Sequence, residues 1–215
     1  MTDQLSGKQF EESRGVEDWR QLSGGGFVCA YFRTGSFSLG AALAEAIGEL
    51  PTVANHHLEV DLRHDGVSVR LCGHEPWGLS GDDVELARQI SAAARELGVP
   101  ADPSIAQHVQ VAIDALAIAE VRPFWRAVLG YEFVGDEDLL DPRRCRPPFW
   151  FQVMDAPRPQ RNRIHIDVYV PADQAEARVK AALAAGGHIV NDSQAPGTWT
   201  LADAEGNEVD VASWA

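Results

Sequence analysis

The chain has 215 residues, of which 45% are hydrophobic and 23% are charged, values typical of a folded globular protein rather than a disordered one. This length suits two domains of about 100 residues each. The formal net charge is −14 and the basic residues are scattered along the sequence. This charge argues against nucleic acid and anionic membrane as partners, since both require a basic surface.

The sequence contains no long apolar run. No segment reaches the roughly 20 apolar residues that a membrane span needs, and the N-terminal stretch MTDQLSGKQFEES lacks the apolar centre of a signal peptide. The cysteines Cys29, Cys72 and Cys145 are odd in number and widely separated, which argues against a disulfide framework and a cysteine zinc site. We therefore expect reduced thiols and a cytoplasmic location.

A strand followed by a helix opens the patterned part of the first half. Residues 27–32 (FVCAYF) predict a strand, and residues 37–50 predict a helix. Ser36 is positioned to cap this helix, because a serine hydroxyl accepts a hydrogen bond from a free amide of the first turn.

A hairpin and a second helix follow. Residues 58–63 and 67–72 alternate between apolar and polar side chains, and Asp65-Gly66 between them is a strong turn signal. The second helix is expected from Ser80, which can cap it, to about residue 97. The first half therefore predicts the order β-α-β-β-α.

The segment LGVPADPSI at residues 97–105 separates two strongly patterned regions. One glycine and two prolines within nine residues are typical of an interdomain linker. We place the boundary near residue 102, which gives domains at residues 1–101 and 102–215.

The second half contains one pattern twice. A strand, a helix and an extended segment are predicted at residues 108–113, 118–129 and 149–154, and a strand and a helix at 163–170 and 173–185, before two closing strands. This is a weak internal repeat of β-α-β units. By itself it predicts only an α+β domain.

Three histidines are expected to converge at one end of the hairpin. His56 and His57 lie just before its first strand, His74 lies just after its second strand, and Asp83 follows in the first turn of the next helix. Neutral imidazole can give and take a proton near pH 7, and a carboxylate can fix its tautomer. The cluster suits acid–base chemistry on a small polar ring. A metal site is the weaker reading, because adjacent strand residues point to opposite faces, and a purely structural set of histidines stays open.

Short motifs around the hairpin match a known family. They are NHHLEVDLR at 55–63, VSVRL at 67–71, His74 and GLSGDDVELA at 78–87. Over residues 5–97 the chain resembles the pterin-4a-carbinolamine dehydratases, with the spacing between motifs preserved. Trp19 lies where that family has a tryptophan lining the pterin pocket.

The resemblance implies dehydration of a 4a-hydroxytetrahydropterin to quinonoid dihydropterin and water, without a cofactor. One histidine, His56 or His74, would protonate the departing 4a-hydroxyl while another takes the ring-nitrogen proton. His57 and Asp83 would orient and bind. General acid–base help of this kind is worth about 10²–10⁴ in rate.

Three departures from the family pattern leave an alternative open. Thr52 replaces a glutamate, Leu58 replaces a proline, and Pro51 interrupts a helix that normally continues toward the histidines. Dehydratase relatives also serve as dimerising partners, so the resemblance implies a homo-oligomer. The alternative is a non-catalytic ligand-binding or oligomerisation module.

A second constellation lies in the other half. His108 opens one predicted strand, His165 lies in the corresponding strand of the repeat, and Glu208 and Asp210 share one face of the last strand. Two histidines and a carboxylate from three strands form a typical open site for a divalent metal.

The surrounding sequence over residues 105–215 also matches a known superfamily. Its motifs are PFWRAVLGY at 123–131, NRIHID at 162–167 and LADAEGNEVD at 201–210. They resemble the glyoxalase and bleomycin-resistance superfamily of vicinal oxygen chelate proteins. The resemblance implies a paired βαβββ fold with His108, His165 and Asp210 on ligand positions, but no particular reaction. Asp210 is shorter than the usual glutamate, so either Glu208 compensates or the site holds no metal.

The two resemblances together imply an α+β protein. Its first domain is expected to be a dehydratase-like antiparallel sheet with helices on one face, and its second the glyoxalase-like domain.

Overall fold

A computed structural model describes residues 4–22, 27–72, 78–157 and 164–213. The chain divides into two compact units, Met1–His108 and Val109–Ala215. No helix in these described ranges is long and apolar enough to cross a membrane.

The division falls after His108, six residues later than the boundary expected near residue 102. The reason is that the proline-rich segment is tied to the first unit. Ala101 forms a β-bridge with Phe32, and the Asp102 amide donates to the Tyr31 carbonyl oxygen at 2.8 Å. Arg33 Nε also donates to the Asp102 carboxylate at 2.7 Å. These contacts extend the first unit through the predicted linker.

The first unit is a four-stranded antiparallel sheet with helices. Its elements are α1 (Gly7–Glu11), β1 (Arg20–Gln21), β2 (Phe27–Arg33), α2 (Phe37–Gly48), β3 (His57–Leu62), β4 (Gly66–Cys72) and α3 (Gly81–Glu96). The strand order is β1-β2-β4-β3, and each neighbouring pair is antiparallel. The predicted order from β2 to α3 and the antiparallel sheet are confirmed, whereas α1 and β1 were not predicted.

The inward positions of β2 and β4 and the two long helices form one hydrophobic cluster. It includes Val28, Phe32, Val67, Val69 and Leu71 from the strands, and Leu43, Ile47, Leu86, Ala87 and Ile90 from α2 and α3. Burying a large apolar side chain contributes about 1.5–3 kcal/mol. This shared core fixes the starts of β3 and α3 relative to each other, which is where the first site lies.

The hairpin between β3 and β4 uses its glycine in an unexpected way. The Arg63 amide donates to the Gly66 carbonyl oxygen at 2.9 Å, so His64 and Asp65 form the centre of the turn. Gly66 belongs to β4, and a Cβ atom there would lie 2.1 Å from the Tyr31 hydroxyl oxygen. The tyrosine ring packed over the strand, rather than the turn, therefore requires glycine.

The second unit contains the same five-element unit twice. The first copy comprises β5 (Val111–Ala115), α4 (Ile118–Leu129), β6 (Glu132–Val134), β7 (Asp138–Leu140) and β8 (Phe149–Val153). The second comprises β9 (Ile166–Tyr169), α5 (Ala172–Ala184), β10 (His188–Gln194), β11 (Thr198–Ala202) and β12 (Glu208–Ala212).

The two sheets have equivalent orders, β5-β8-β7-β6 and β9-β12-β11-β10. In each sheet the first pair is parallel and the others are antiparallel. The predicted paired βαβββ fold is confirmed. Both copies contribute to one core, which includes Phe124, Trp125, Phe149 and Phe151 from the first copy and Trp199, Leu201, Val209 and Val211 from the second.

The loop between β11 and β12 is fastened to α4 by two acidic residues. Asp203 is fully buried and accepts hydrogen bonds from Trp125 Nε1, the Glu205 amide, and the amide and side chain of Asn207 at 2.8–2.9 Å. The Glu205 carboxylate accepts from the amides of Leu116 and Ala117 at 2.8 Å. These two amides directly precede α4, which has no side-chain N-cap of its own. This part of the LADAEGNEVD motif therefore stabilises the fold.

Candidate acid–base site and candidate metal site

A buried histidine–aspartate pair joins the start of β3 to the start of α3. His56 Nδ1 lies 2.8 Å from Asp83 Oδ1, and the two side chains are only 7% and 5% exposed. His56 directly follows a single 3₁₀ turn, Val53–Asn55, which leads the chain into β3. The predicted convergence of these two residues is therefore present in the folded unit.

Asp83 is held in place by the helix cap. The Ser80 amide and hydroxyl donate to Asp83 Oδ2 at 2.7 and 2.8 Å, and the Asp83 amide donates to the Ser80 hydroxyl at 3.4 Å. Together these contacts form a capping box, as predicted from the serine at this position. Asp83 Oδ1 is left facing the imidazole.

This arrangement decides which nitrogen of His56 is available for chemistry. An ionised carboxylate only accepts hydrogen bonds, so the neutral imidazole carries its hydrogen on Nδ1 and its lone pair on Nε2. Nε2 is then the basic nitrogen, and the carboxylate balances the charge when that nitrogen is protonated. The pair can therefore act as a proton acceptor and return the proton later.

The other predicted residues of the first site have different surroundings. His57 is the first residue of β3, pairs with Cys72 in the sheet register and is exposed. The two adjacent histidines therefore differ in exposure, because the His56 side chain is buried against Asp83. His74 lies outside the described residues.

Trp19 is a core residue. Its side chain is 1% exposed, and its indole Nε1 donates to the Ala87 carbonyl oxygen at 3.2 Å and to the Ser91 hydroxyl at 3.1 Å. A side chain this buried, with its one polar atom bonded inside the protein, is typical of a core residue. The role of Trp19 in substrate binding stays a prediction, and this burial does not support it.

Thr52, which stands where the resembled family has glutamate, makes a contact that was not predicted. Helix α2 ends at Gly48, before Pro51, and the Thr52 hydroxyl donates to Gln89 Oε1 at 3.1 Å. Gln89 in turn donates to Glu85 at 3.2 Å. A polar chain therefore connects this position to α3 although the glutamate is missing.

The second candidate site is a group of three side chains in the second unit. His165 Nε2 lies 3.3 Å from Asp167 Oδ1 and 3.9 Å from Asp210 Oδ2. Asp167 and Asp210 are direct register partners on the parallel strands β9 and β12. Their side chains are 44% and 25% exposed, and that of His165 is 52% exposed.

The donor set fits a divalent metal. One ligand atom from each residue lies within 4.8 Å of the others. An ion with bonds of about 2.0–2.2 Å holds its ligand atoms roughly 3–4.4 Å apart, so a small rotation of exposed side chains is sufficient. One imidazole and two carboxylates are ligands that suit first-row divalent ions. Asp167 was missed as a candidate ligand, although its position two residues after His165 places both on one face of the strand.

His108 is not part of this group. It precedes β5, which begins at Val111, and its ring packs against Phe27 of the first unit with the ring centroids 5.3 Å apart. Burial, with a smaller contribution from the charge of Arg70, lowers the pKa of His108. Its role as a metal ligand stays a prediction, and these surroundings do not support it.

The internal repeat relates His165 to a position of the first copy other than His108. The sequence Ile113-Asp114 of β5 corresponds to Ile166-Asp167 of β9, so the counterpart of His165 is Ala112, which cannot ligate. Glu208 pairs with Ala202 at the beginning of β12 and is not among the three clustered residues. Glu208 was expected to compensate for Asp210, which is shorter than the usual glutamate. The second carboxylate of the cluster is that of Asp167 instead.

Comparison with known proteins assigns both units. The family model described as pterin 4 alpha carbinolamine dehydratase matches residues 3–93, and the one described as glyoxalase-like domain matches residues 110–212. A Halobacterium salinarum protein named "Putative pterin-4-alpha-carbinolamine dehydratase" is 33% identical over 89 residues, which cover 41% of this chain and 94% of that protein.

Solved structures resemble each unit in turn. A transcriptional coactivator/pterin dehydratase from Brucella melitensis is 22% identical and matches 43% of this chain and 99% of its own, with a TM-score of 0.39. A glyoxalase-related enzyme from Fulvimarina pelagi is 16% identical and matches 51% of this chain and 89% of its own, with a TM-score of 0.40. The family matches, together with the fold of each unit, lead to one assignment: the chain belongs to the pterin 4 alpha carbinolamine dehydratase family through its first unit, and its second unit is a glyoxalase-like domain.

Proposed function

We propose that the first unit dehydrates a 4a-hydroxytetrahydropterin to quinonoid dihydropterin and water. The observation that carries this proposal is the buried contact of 2.8 Å between His56 Nδ1 and Asp83 Oδ1, in a unit that belongs to the dehydratase family. A histidine oriented in this way is suited to proton transfer at Nε2.

The reaction breaks the C4a–OH bond and one ring N–H bond. In the proposed mechanism His56 Nε2 takes the ring-nitrogen proton, and the electron pair of that bond forms the new C=N bond. The hydroxyl leaves with a proton from His74, so the products are quinonoid dihydropterin and water. Asp83 keeps the imidazole of His56 in the accepting tautomer, and His57 contributes to binding. No redox cofactor is needed, because no electrons are gained or lost overall.

Turnover of the purified full chain tests this proposal. After a 4a-hydroxytetrahydropterin is generated in the cuvette, the formation of quinonoid product is followed against the buffer reaction. His56→Ala should lower the catalysed rate by about 10² or more. His64→Ala is the matched control, because His64 is an exposed histidine of the same hairpin. Equal rates for the wild type and His56→Ala would remove the acid–base assignment.

A non-catalytic role for the first unit is the competing proposal. It is supported by Thr52, which replaces the family's glutamate and is bound to Gln89 at 3.1 Å. Binding of a pterin, measured by calorimetry, without any acceleration of dehydration would favour this reading. Acceleration that depends on His56 would eliminate it.

Self-association is also proposed for the chain. Strand β3 forms one edge of the sheet in the described part of the first unit, and Val60 on it is 38% exposed. An open edge strand with an exposed apolar side chain favours pairing with another chain. Sedimentation velocity should give a mass that is a multiple of 23.4 kDa, and a purely monomeric species at micromolar concentration would contradict it.

For the second unit we propose a divalent metal site formed by His165, Asp167 and Asp210. The support is the clustering of one imidazole and two carboxylates within 4.8 Å. A bound first-row ion would supply a Lewis acid that polarises an oxygen atom of a small substrate. The three side chains would hold the ion on the exposed face shared by β9 and β12.

Metal content distinguishes this site from the one expected from the sequence. The wild-type chain, loaded with manganese or zinc and desalted, should retain close to one ion, whereas His165→Ala and Asp210→Asn should not. His108→Ala and His188→Ala should retain it, because neither residue belongs to the cluster. Loss of the ion in His108→Ala, or its retention in His165→Ala, would contradict the assignment.

A further inference from the structure

Asp83 uses its two carboxylate oxygens for different partners. Oδ2 accepts from the amide and hydroxyl of Ser80 at 2.7 and 2.8 Å, whereas Oδ1 faces His56 Nδ1 at 2.8 Å. Since the Asp83 side chain is 5% exposed, water has little access to replace either partner. Ser80, by binding Oδ2, therefore determines the direction in which Oδ1 points.

A second capping box in the same unit shows what is special about this one. At the start of α1, the amide and hydroxyl of Ser6 both donate to Gln9 Oε1, at 2.8 and 3.0 Å. Glutamine has a single acceptor oxygen, and the cap uses it fully. Asp83 has two, so the same cap leaves one carboxylate oxygen for an imidazole.

The distances indicate that the cap serves the carboxylate as much as the helix. The usual capping contact, from the Asp83 amide to the Ser80 hydroxyl, is long at 3.4 Å. The contacts from the Ser80 amide and hydroxyl to the carboxylate are much shorter, at 2.7 and 2.8 Å, which are good hydrogen-bond lengths. A carboxylate that accepts two hydrogen bonds on one oxygen cannot rotate freely about the Cβ–Cγ bond, so its second oxygen has a fixed direction.

We infer that Ser80 is a positioning residue for His56, acting through Asp83. It fixes the carboxylate so that Oδ1 takes the hydrogen of His56 Nδ1, which keeps Nε2 as the basic nitrogen. The consequence for turnover rests on the proposed dehydratase function. The consequence for the tautomer of His56 does not, because it follows from the hydrogen bonds alone.

The test is nitrogen NMR of the full chain with ¹⁵N-labelled histidine, which distinguishes the two neutral tautomers by the shifts of Nδ1 and Nε2. In the wild type the neutral form of His56 should be mainly the Nδ1–H tautomer. Ser80→Gly removes the hydroxyl, and glycine as an N-cap costs the helix only a few tenths of a kcal/mol. This variant should shift His56 toward the Nε2–H tautomer, and Ser80→Thr should restore the wild-type spectrum.

A matched control separates positioning from helix capping in general. Ser36 caps α2 through its hydroxyl, which accepts from the Leu39 amide at 3.3 Å. Ser36→Gly should leave the His56 tautomer unchanged. In parallel, Ser80→Gly should lower kcat by about tenfold, as expected when a catalytic group loses its orientation, with KM little changed.

The outcomes separate this inference from the proposed function. An unchanged tautomer in Ser80→Gly overturns the inference, whatever happens to turnover. If Ser80→Gly does not fold, Ser80→Asp gives the same test, because aspartate caps a helix as well as serine does but has no hydroxyl hydrogen to donate to Asp83 Oδ2. A shifted tautomer in a protein whose wild type does not accelerate dehydration supports the positioning role and refutes the dehydratase function.

Discussion

Replacing Asp203 by alanine should destabilise the second unit strongly. The carboxylate is fully buried and accepts four hydrogen bonds at 2.8–2.9 Å, from Trp125, Glu205 and twice from Asn207. Trp125 is 2% exposed, so its indole N–H would be left without an acceptor, at a cost of roughly 2 kcal/mol. The amide groups of Glu205 and Asn207 can turn toward water, so losing their hydrogen bonds to Asp203 should cost only about 1–2 kcal/mol. The expected total is about 3–4 kcal/mol.

Native-state hydrogen exchange is the suitable assay, because it reports the opening free energy of each unit separately in a two-unit chain. Amides of β11 and β12 should lose protection by the expected amount, while those of β2 and β4 should not change. Asp136→Ala is the control, since Asp136 is exposed in the β6–β7 turn and its replacement should cost less than about 0.5 kcal/mol.

A double-mutant cycle identifies the contact responsible. In a Trp125→Phe background the indole N–H is absent, so Asp203→Ala should cost about 1–2 kcal/mol less than in the wild type. A decrease in opening free energy below about 1 kcal/mol in Asp203→Ala, or strict additivity in the cycle, would refute the reasoning that these hydrogen bonds stabilise the second unit.

Three further changes have defined outcomes. Gly66→Ala should destabilise the first unit by about 1–3 kcal/mol in urea unfolding, because its Cβ would lie 2.1 Å from the Tyr31 hydroxyl oxygen; wild-type stability would contradict that contact. Burial, and then the charge of Asp141, raise the pKa of Tyr131 to about 12. The unfolded chain loses this proton more readily, so the stability present below the ordinary pKa of 10 should decline as the pH rises toward 12. Tyr131→Phe should remove that decline in thermal melts between about pH 9 and 11. Thr52→Glu should raise turnover if the missing carboxylate limits the site, and an unchanged or lower rate would mean that the contact with Gln89 has replaced it.

The helices were the most predictable part of the fold. Helix α4 has the predicted bounds because its apolar period is strong and Gly130, with φ of 70°, ends it in the left-handed conformation that glycine tolerates. Ser36 and Ser80 cap α2 and α3 as expected. In such cases local side-chain chemistry decides the structure.

The short strands were not predictable in the same way. Strands β6 and β7 have three residues each, too few for an alternating pattern, and all seven residues of β10 are exposed, so hydrophobic periodicity has nothing to detect. These strands form because partners in the same sheet supply their hydrogen bonds.

His108 and Trp19 both have surroundings that the local pattern did not predict. Alternation in residues 108–113 suggested a strand beginning at His108, but the strand begins at Val111. Trp19 was assigned to a pocket by resemblance, whereas bonds to Ala87 and Ser91, distant in sequence, keep it in the core. Long-range packing, rather than local pattern, determines both positions.

The central claim is that His56 and Asp83 act as one proton-transfer unit in dehydration of a 4a-hydroxytetrahydropterin. The most direct measurement is a double-mutant cycle on stopped-flow dehydration rates for the wild type, His56→Ala, Asp83→Asn and the double variant. If Asp83 acts only through His56, the double variant should be no slower than His56→Ala alone, and the wild type should exceed both single variants. Losses that simply add, or a wild-type rate equal to that of buffer, would contradict the claim.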